Sequence, residues 1–357
     1  MGVPPALLIQ KNRERSASKR GTPKGREEIW FLDAVLTTTS LAQEVLEQHR
    51  RSHNQSTFAV DHDAAINAIR LALRKSNLTL CLGAGASVPN QIPGWIELLS
   101  RLASEALSDA DCAKFIKIVK AIPTISPLAL ARFLKSSFTI EASFYRALHR
   151  VLYSSINIAA ANPILQIISE VARYCIAHSH TLNLLTYNYD NLCEHWMEKV
   201  IPGLYDIIFD DETYRAASRQ IRIFHVHGYV PLENVELRHR KHLILAEDEY
   251  HELYTAPNRW SNHVQVGSFG YSTCLFVGFS MTDPSVRRIL DAVSISRNSA
   301  TPHFCILRRS EKTGKLGKRD VEFYDIMTGI ALRDLGVSVL FVNNYDDIVP
   351  IINKIIT

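Results

Sequence analysis

The chain has 357 residues, 46% of them apolar and 21% charged, a balance suited to a globular protein with a large core in one large domain or two modest ones. Its longest apolar run, Leu275–Phe279, is strand-sized and far too short to cross a bilayer. The net charge of +4 sits entirely in residues 1–30, seven Lys/Arg against three Glu, and the other 327 residues balance at 33 basic and 33 acidic. The folded body therefore lacks the basic excess of a nucleic-acid binder, which leaves the arm as the only candidate for such contacts.

Residues 1–26 are polar, basic and broken by Gly and Pro, the composition of a disordered arm. The spacing of Ile29, Leu32, Val35, Leu41 and Val45 predicts a helix from Glu27 to about Arg51, and Ala64, Ile66, Ile69 and Leu73 predict a second one. We read 27–75 as N-terminal helices that could serve assembly, and 76–357 as the main domain. Leu78–Leu82 is a short buried strand running into Gly83 and Gly85, and Trp95–Leu107 is a helix. Residues 110–180 are almost wholly helical in pattern, an insertion that interrupts the alternation of strands and helices. Strands are expected at Leu182–Leu185, Arg222–Val226, Leu243–Leu245, Thr273–Val277, His303–Leu307 and Val337–Val342, and helices at Leu192–Val200, Ser285–Val293, Asp325–Leu335 and Asp347–Ile356. Short apolar strands separated by helices predict an α/β fold: a Rossmann-like parallel sheet with helices on both faces and an inserted helical cap subdomain.

Six cysteines are scattered without CxxC spacing, several of them within apolar elements. That pattern suits free thiols in a reducing cytoplasm. The N-terminus lacks the apolar core of a secretory signal, so the chain reads as cytoplasmic and without a membrane segment.

In such a sheet, ligands bind at the carboxyl ends of strands. Four of these ends are polar or glycine-rich: Gly83–Ser87, Thr186–Asp190, His225–Gly228 and Gly278–Asp283. The first, GAGAS, permits close backbone approach to a phosphate or simply a tight strand–helix turn. No Walker GxxxxGK[ST] pattern accompanies it. In the second, TYNYD, Asp190 is a good candidate to cap the next helix. His225 and His227 should share a strand face, and His178 and His180 form a similar pair. Neither pair has further ligands at motif spacing for a metal, whereas His227, just before a glycine, suits a general base. Ser280, Thr282 and Asp283 suit helix capping or ribose and phosphate contacts. Arg287 and Arg288 suit either phosphate or solvent. An Asn and a His near a nucleotide, without a phosphate-transfer lysine, point to chemistry at a ribose, where an oxocarbenium-like transition state needs polar stabilisation and a nucleophile.

Taken in order, GAGAS, TYNYD, HVHG and GFSMTDP resemble the sirtuin-like family over roughly residues 70–345. The resemblance implies NAD as substrate, with Gly83, Ala84, Gly85 and Ser87 at its pyrophosphate and Thr186 in the same binding motif. Asn188 would stand at the nicotinamide ribose, His227 would be the base, and Asp190 would orient the network. Gly278, Ser280 and Asp283 would lie on the adenosine side. The chain lacks the GIPDFR motif and the four-cysteine zinc module of protein-deacylating sirtuins; Gln91–Trp95 reads QIPGW, and Cys274 is the only cysteine between Gly228 and Gly278. It resembles instead the NAD-hydrolysing branch of bacterial anti-phage defence systems, to which LILAEDEY (Leu243–Tyr250) is also similar. That branch implies an NAD glycohydrolase without a metal that depletes NAD in abortive infection. Gating would come from homo-oligomer assembly or a partner such as a HerA-type ATPase or an Argonaute-like protein. An NAD-dependent protein deacylase and a non-hydrolysing NAD or ADP-ribose sensor are the alternatives.

Overall fold

The computed structural model describes residues 61–122, 126–233, 242–296, 302–311 and 317–357, all within one unit, Phe58–Thr357. The expected basic arm at 1–26 and the helix expected from Glu27 lie outside the described residues.

Seven strands form one all-parallel sheet in the order β3-β4-β2-β1-β5-β6-β7. They are β1 (Leu78–Leu82), β2 (Leu182–Thr186), β3 (Tyr205–Ile208), β4 (Ile221–His225), β5 (Thr273–Val277), β6 (His303–Arg308) and β7 (Val337–Val342). Every residue of β1 and β5 is buried, as expected for central parallel strands covered on both faces. Alternate residues feed two cores. Leu80, Leu82, Leu184, Ile223, Leu275 and Val277 pack on one face, while Cys81, Leu185, Phe224, Cys274 and Phe276 pack on the other. The period of two in the backbone thus divides each strand between helical layers.

The first layer includes α1 (His62–Arg74), whose Ala65, Ile66, Ile69, Ala72 and Leu73 form one buried stripe. Asp61 starts this helix by accepting from the Asp63 amide at 3.0 Å. The helix packs on β1, β5 and α13 (Ile348–Ile356), just ahead of the expected domain boundary at 75/76. Five helices separate β1 from β2: α2 (Trp95–Ala106), α3 (Asp109–Ala121), α4 (Pro127–Ser136), α5 (Glu141–Tyr153) and α6 (Pro163–Ala177). Helices α3, α4 and α5 pack on α2, whereas α6 packs on α13 and on α7 (Leu192–Val200) as the crossover helix of the β1–β2 unit. After β3 come α8 (Asp211–Ala216), then, beyond β4, α9 (Glu247–Thr255) and α10 (Trp260–Tyr271); α11 (Pro284–Ser296) and α12 (Lys318–Asp334) come after β5 and β6. Residues of α10, α11 and α12 contribute to the second core.

One expected strand is corrected, and two elements carry no sequence pattern. Leu243–Leu245 is not a strand: its residues are buried, but they run as irregular chain into α9, with Ile244 donating to the His227 carbonyl at 2.8 Å. The missing strand is β3, an edge strand whose sequence YDII has three half-buried residues, so no apolar run marks it. Helix α10 also escaped the pattern because its buried face carries Ser261, Asn262, Gln265 and Ser268. Among the described residues no helix is long and apolar enough to cross a membrane.

Candidate active site

The connections from β1 lead to β2 on one side and, later, to β5 on the other, so the sheet's topological switch lies at β1. The ends of β4, β2, β1 and β5 stand side by side there, and all four polar motifs meet. A cavity of about 920 Å³ opens over them, lined by Gly83, Ala84, Gly85, Asn188, Asp190, His227, Gly278, Ser280 and Asp283 among others. That volume lies within the range of about 300–1,000 Å³ common for ligand sites. From the end of β2 to the end of β6 is three inter-strand steps, roughly 14 Å.

The glycines are required by the approach of two turns. Gly83 donates to the Val277 carbonyl at 3.1 Å, and Gly85 to the Gly278 carbonyl at 2.9 Å. A Cβ on Gly83 would fall 2.5 Å from that Gly278 oxygen. Gly278 has φ +63°, and its Cβ would meet the Ala86 nitrogen at 2.4 Å. Two turns that must touch backbone to backbone leave no room for a side chain. The Gly83 and Gly85 amides are therefore engaged within the protein rather than held for a phosphate.

Asn188 is fixed by its own amide. Its Nδ2 donates to the Gly83 carbonyl at 3.0 Å and to Ser87 Oγ at 3.1 Å. Both hydrogens are engaged, and a carbonyl can only accept, so the amide orientation is determined. Oδ1 is the atom left to accept from a ligand. Ser87 in turn donates to Asp190 Oδ1 at 3.0 Å, and the same oxygen accepts the Leu192 amide at 3.1 Å. Asp190 thus does bond the first turn of α7, as the capping reading expected, while also anchoring the residue that holds Asn188. Burial pushes the Asp190 carboxyl up to about 6; the Leu192 amide and Ser87 hydroxyl oppose the rise.

His227 lies beyond the last residue of β4, so the strand's period of two does not reach it, and the expected shared face of His225 and His227 is not formed. Its ring packs edge-on against Tyr187 at 4.8 Å and Tyr250 at 5.7 Å, and it is 4% exposed. Burial holds the imidazole below its ordinary range, with Asp283 opposing and Arg259 adding to the effect. A neutral ring that can take up a proton is the result. Asp283 accepts the Tyr250 hydroxyl and the Ser285 hydroxyl, each at 2.6 Å, and the Ser285 and Val286 amides at the start of α11. Burial alone would raise this carboxyl, but His227, the two hydroxyls and the amide together hold it below its usual range.

Thr186 and Ser87 do not line the cavity. Thr186 Oγ1 accepts the Asn188 amide at 3.1 Å and shapes the turn, and Ser87 stands behind Asn188. Ser280 and Thr282 line the cavity and bond each other at 2.7 Å. Neither Arg287 nor Arg288 lines it: the first donates to the Met281 carbonyl at 3.2 Å and the second stacks on Tyr254 at 4.6 Å. Instead Arg308 and Arg309, at the end of β6, border its far side. The strand-end rule reaches them as well once it is extended to His303–Arg308. Tyr187 and Tyr250 were also missed, since isolated tyrosines carry no pattern. Histidines 178 and 180 stack beside Tyr174 at the protein surface. Among the described residues no three His, Cys, Asp or Glu side chains gather to hold a metal, and all six cysteines are buried free thiols.

The family described as SIR2-like domain matches residues 183–326, from β2 into α12, taking in three of the four strand ends. Over that stretch the chain is similar to the SIR2-like domain family. Three relatives, each named NAD(+) hydrolase ThsA, are similar to this chain. The protein of Bacillus cereus (strain MSX-D12) is 25% identical over 177 residues, covering 48% of this chain and 35% of its own length. That of Enterococcus faecium is 23% identical over 320 residues, covering 83% and 58%. That of Acinetobacter baumannii (strain 532279) is 23% identical over 311 residues, covering 84% and 57%. The chain therefore spans between about a third and three-fifths of the length of these relatives.

Proposed function

We propose that the cavity binds NAD⁺ and that the protein hydrolyses it to nicotinamide and ADP-ribose. The observation that carries this reading is Asn188, held so that Oδ1 faces a ligand, in one cavity with a buried neutral His227. The three NAD(+) hydrolase relatives support it.

The chemistry is set by the residues. The C1′–N1 bond breaks and its electron pair passes to the nicotinamide nitrogen, discharging its positive charge. Asn188 Oδ1 accepts a ribose hydroxyl or the attacking water, adding no net charge near the oxocarbenium-like centre. A water lone pair forms the new bond to C1′, and His227 takes the proton released. Asp190 acts through Ser87 by keeping the Asn188 amide turned. The ribose side would meet Asn188, the pyrophosphate would lie along the Gly83, Ala84 and Gly85 turn without drawing on the engaged Gly83 and Gly85 amides, and the adenosine side would meet Gly278, Ser280 and Asp283, toward the Arg308 end.

In the cell this activity would deplete NAD as an anti-phage effector causing abortive infection. It would act in the cytoplasm and be gated by homo-oligomer assembly or by a partner such as a HerA-type ATPase or an Argonaute-like protein. The test is nicotinamide release by the purified full chain, beside Asn188→Ala and His227→Ala. Each substitution should lower kcat by about 10²- to 10³-fold. Turnover unchanged in both would refute the site. Binding of NAD⁺ without turnover would favour the sensor, and deacylation of an acetyl-lysine peptide in step with nicotinamide release the deacylase.

A further inference from the structure

His225 is fully buried, and it is not spare. In the turn after β2, the Thr186 carbonyl accepts the Val226 amide at 3.2 Å and the Tyr189 carbonyl accepts the Val230 amide at 2.7 Å. The Asn188 carbonyl between them is held by a side chain: His225 Nδ1 lies 3.3 Å from it. The other ring nitrogen, Nε2, bonds Glu194 Oε1 on α7. Glu194 is itself 3% exposed, and its second carboxylate oxygen has no hydrogen-bond partner among the described residues. Because a peptide carbonyl can only accept, Nδ1 must carry a hydrogen. That holds whichever side of the Nε2–Glu194 contact keeps the shared proton.

We propose that His225 is a positioning residue for the reaction, oriented by Glu194, which clamps the Asn188 carbonyl and so sets where the Asn188 amide stands. The inference rests on the NAD⁺-hydrolysing reading of the site. Backbone and side chain of Asn188 are then gripped from both ends: Thr186 Oγ1 on the amide nitrogen, His225 on the carbonyl, Gly83 and Ser87 on Nδ2. A fold needing only a filled space here would do as well with two apolar side chains, since a buried His–Glu pair is costly to desolvate. Apolar side chains cannot donate to the Asn188 carbonyl. A donor aimed at that one atom, with a carboxylate fixing its ring, is an orienting device of the kind that sets histidine tautomers elsewhere.

The test compares three forms of the full chain. His225→Leu with Glu194→Met removes the clamp and both ionisable groups, and keeps the space filled. It should fold with a Tm within a few degrees of wild type and keep KM for NAD⁺ within about threefold, while kcat falls at least about tenfold, as expected when a transition-state contact is misplaced. His225→Asn with Glu194→Met returns an N–H donor near the position of Nδ1 and should recover most of the lost kcat. Wild-type kcat in the first form, or no recovery in the second, would overturn the proposal. If the wild type itself releases no nicotinamide, the functional reading fails separately, and the clamp is read from ¹⁵N-histidine spectra. A hydrogen on Nδ1 of His225, coupled to the Asn188 carbonyl, is expected; a bare Nδ1 would overturn it.

Discussion

Replacing Asp190 with Asn tests the buried network directly, because the wild-type carboxyl carries a pH-dependent cost of burial and the amide does not. In the folded protein this carboxyl is raised from 3.8 to about 6. A raised acid favours the folded state at low pH and loses that advantage as pH climbs. Below 3.8 both folded and unfolded forms hold the proton; between 3.8 and about 6 only the folded form does; above about 6 both are ionised and the penalty is complete. At about 1.4 kcal/mol per unit, the full penalty is on the order of 3 kcal/mol. It is only about 0.5 kcal/mol at pH 4 and about 3 kcal/mol at pH 7.5. Asn keeps an oxygen to accept from Ser87 and Leu192, and any cost of its new N–H group is constant with pH. Urea unfolding of Asp190→Asn and wild type should therefore give a stability difference that shifts toward the variant by about 2 kcal/mol from pH 4 to pH 7.5. A difference flat across that range would refute a carboxyl held up by burial.

The same site sets four further expectations. With His227 held below its ordinary range, the proposed base favours its neutral form at neutral pH, so kcat/KM should be level above pH 7 and fall only toward lower pH. Asp283→Asn removes the charge that opposes this shift and should move the acid limb lower still; a rate still rising between pH 7.5 and 8.5 would contradict both. Gly278→Ala places a Cβ 2.4 Å from the Ala86 nitrogen at φ +63°, forcing the two turns apart. Denaturant unfolding should show a loss of at least ~2 kcal/mol, with nicotinamide release lost as well; an unchanged midpoint would show the turns yield freely. Tyr250→Phe removes the 2.6 Å bond to Asp283. Thermal and urea melts should report a cost of about 1.5–3 kcal/mol, as for a hydrogen bond to a charged group, and a midpoint equal to wild type would mean the hydroxyl is exchanged for water without loss.

Much of the fold was legible because the central strands bury both faces and so read as apolar runs: LTLCL, LNLLT and TCLFV all stand where expected. The edge strand β3 and the polar-faced helix α10 were not legible, since their stability comes from neighbours rather than from periodicity. The same boundary divides the site. The four polar strand ends, with Asn188, Asp190 and His227 among them, could be read from sequence because a parallel sheet brings its carboxyl ends to one edge. What each side chain does there was decided by tertiary contact. Only packing engages the Gly83 and Gly85 amides on the neighbouring turn, turns Thr186 and Ser87 away from the cavity, and brings Tyr250 from α9 onto Asp283. Only packing sets Glu194 behind His225. A sequence records which groups can donate or accept; which partner each one finds depends on residues a hundred or more positions away, as with Ser87 and Asp190, and on the burial that shifts their protons.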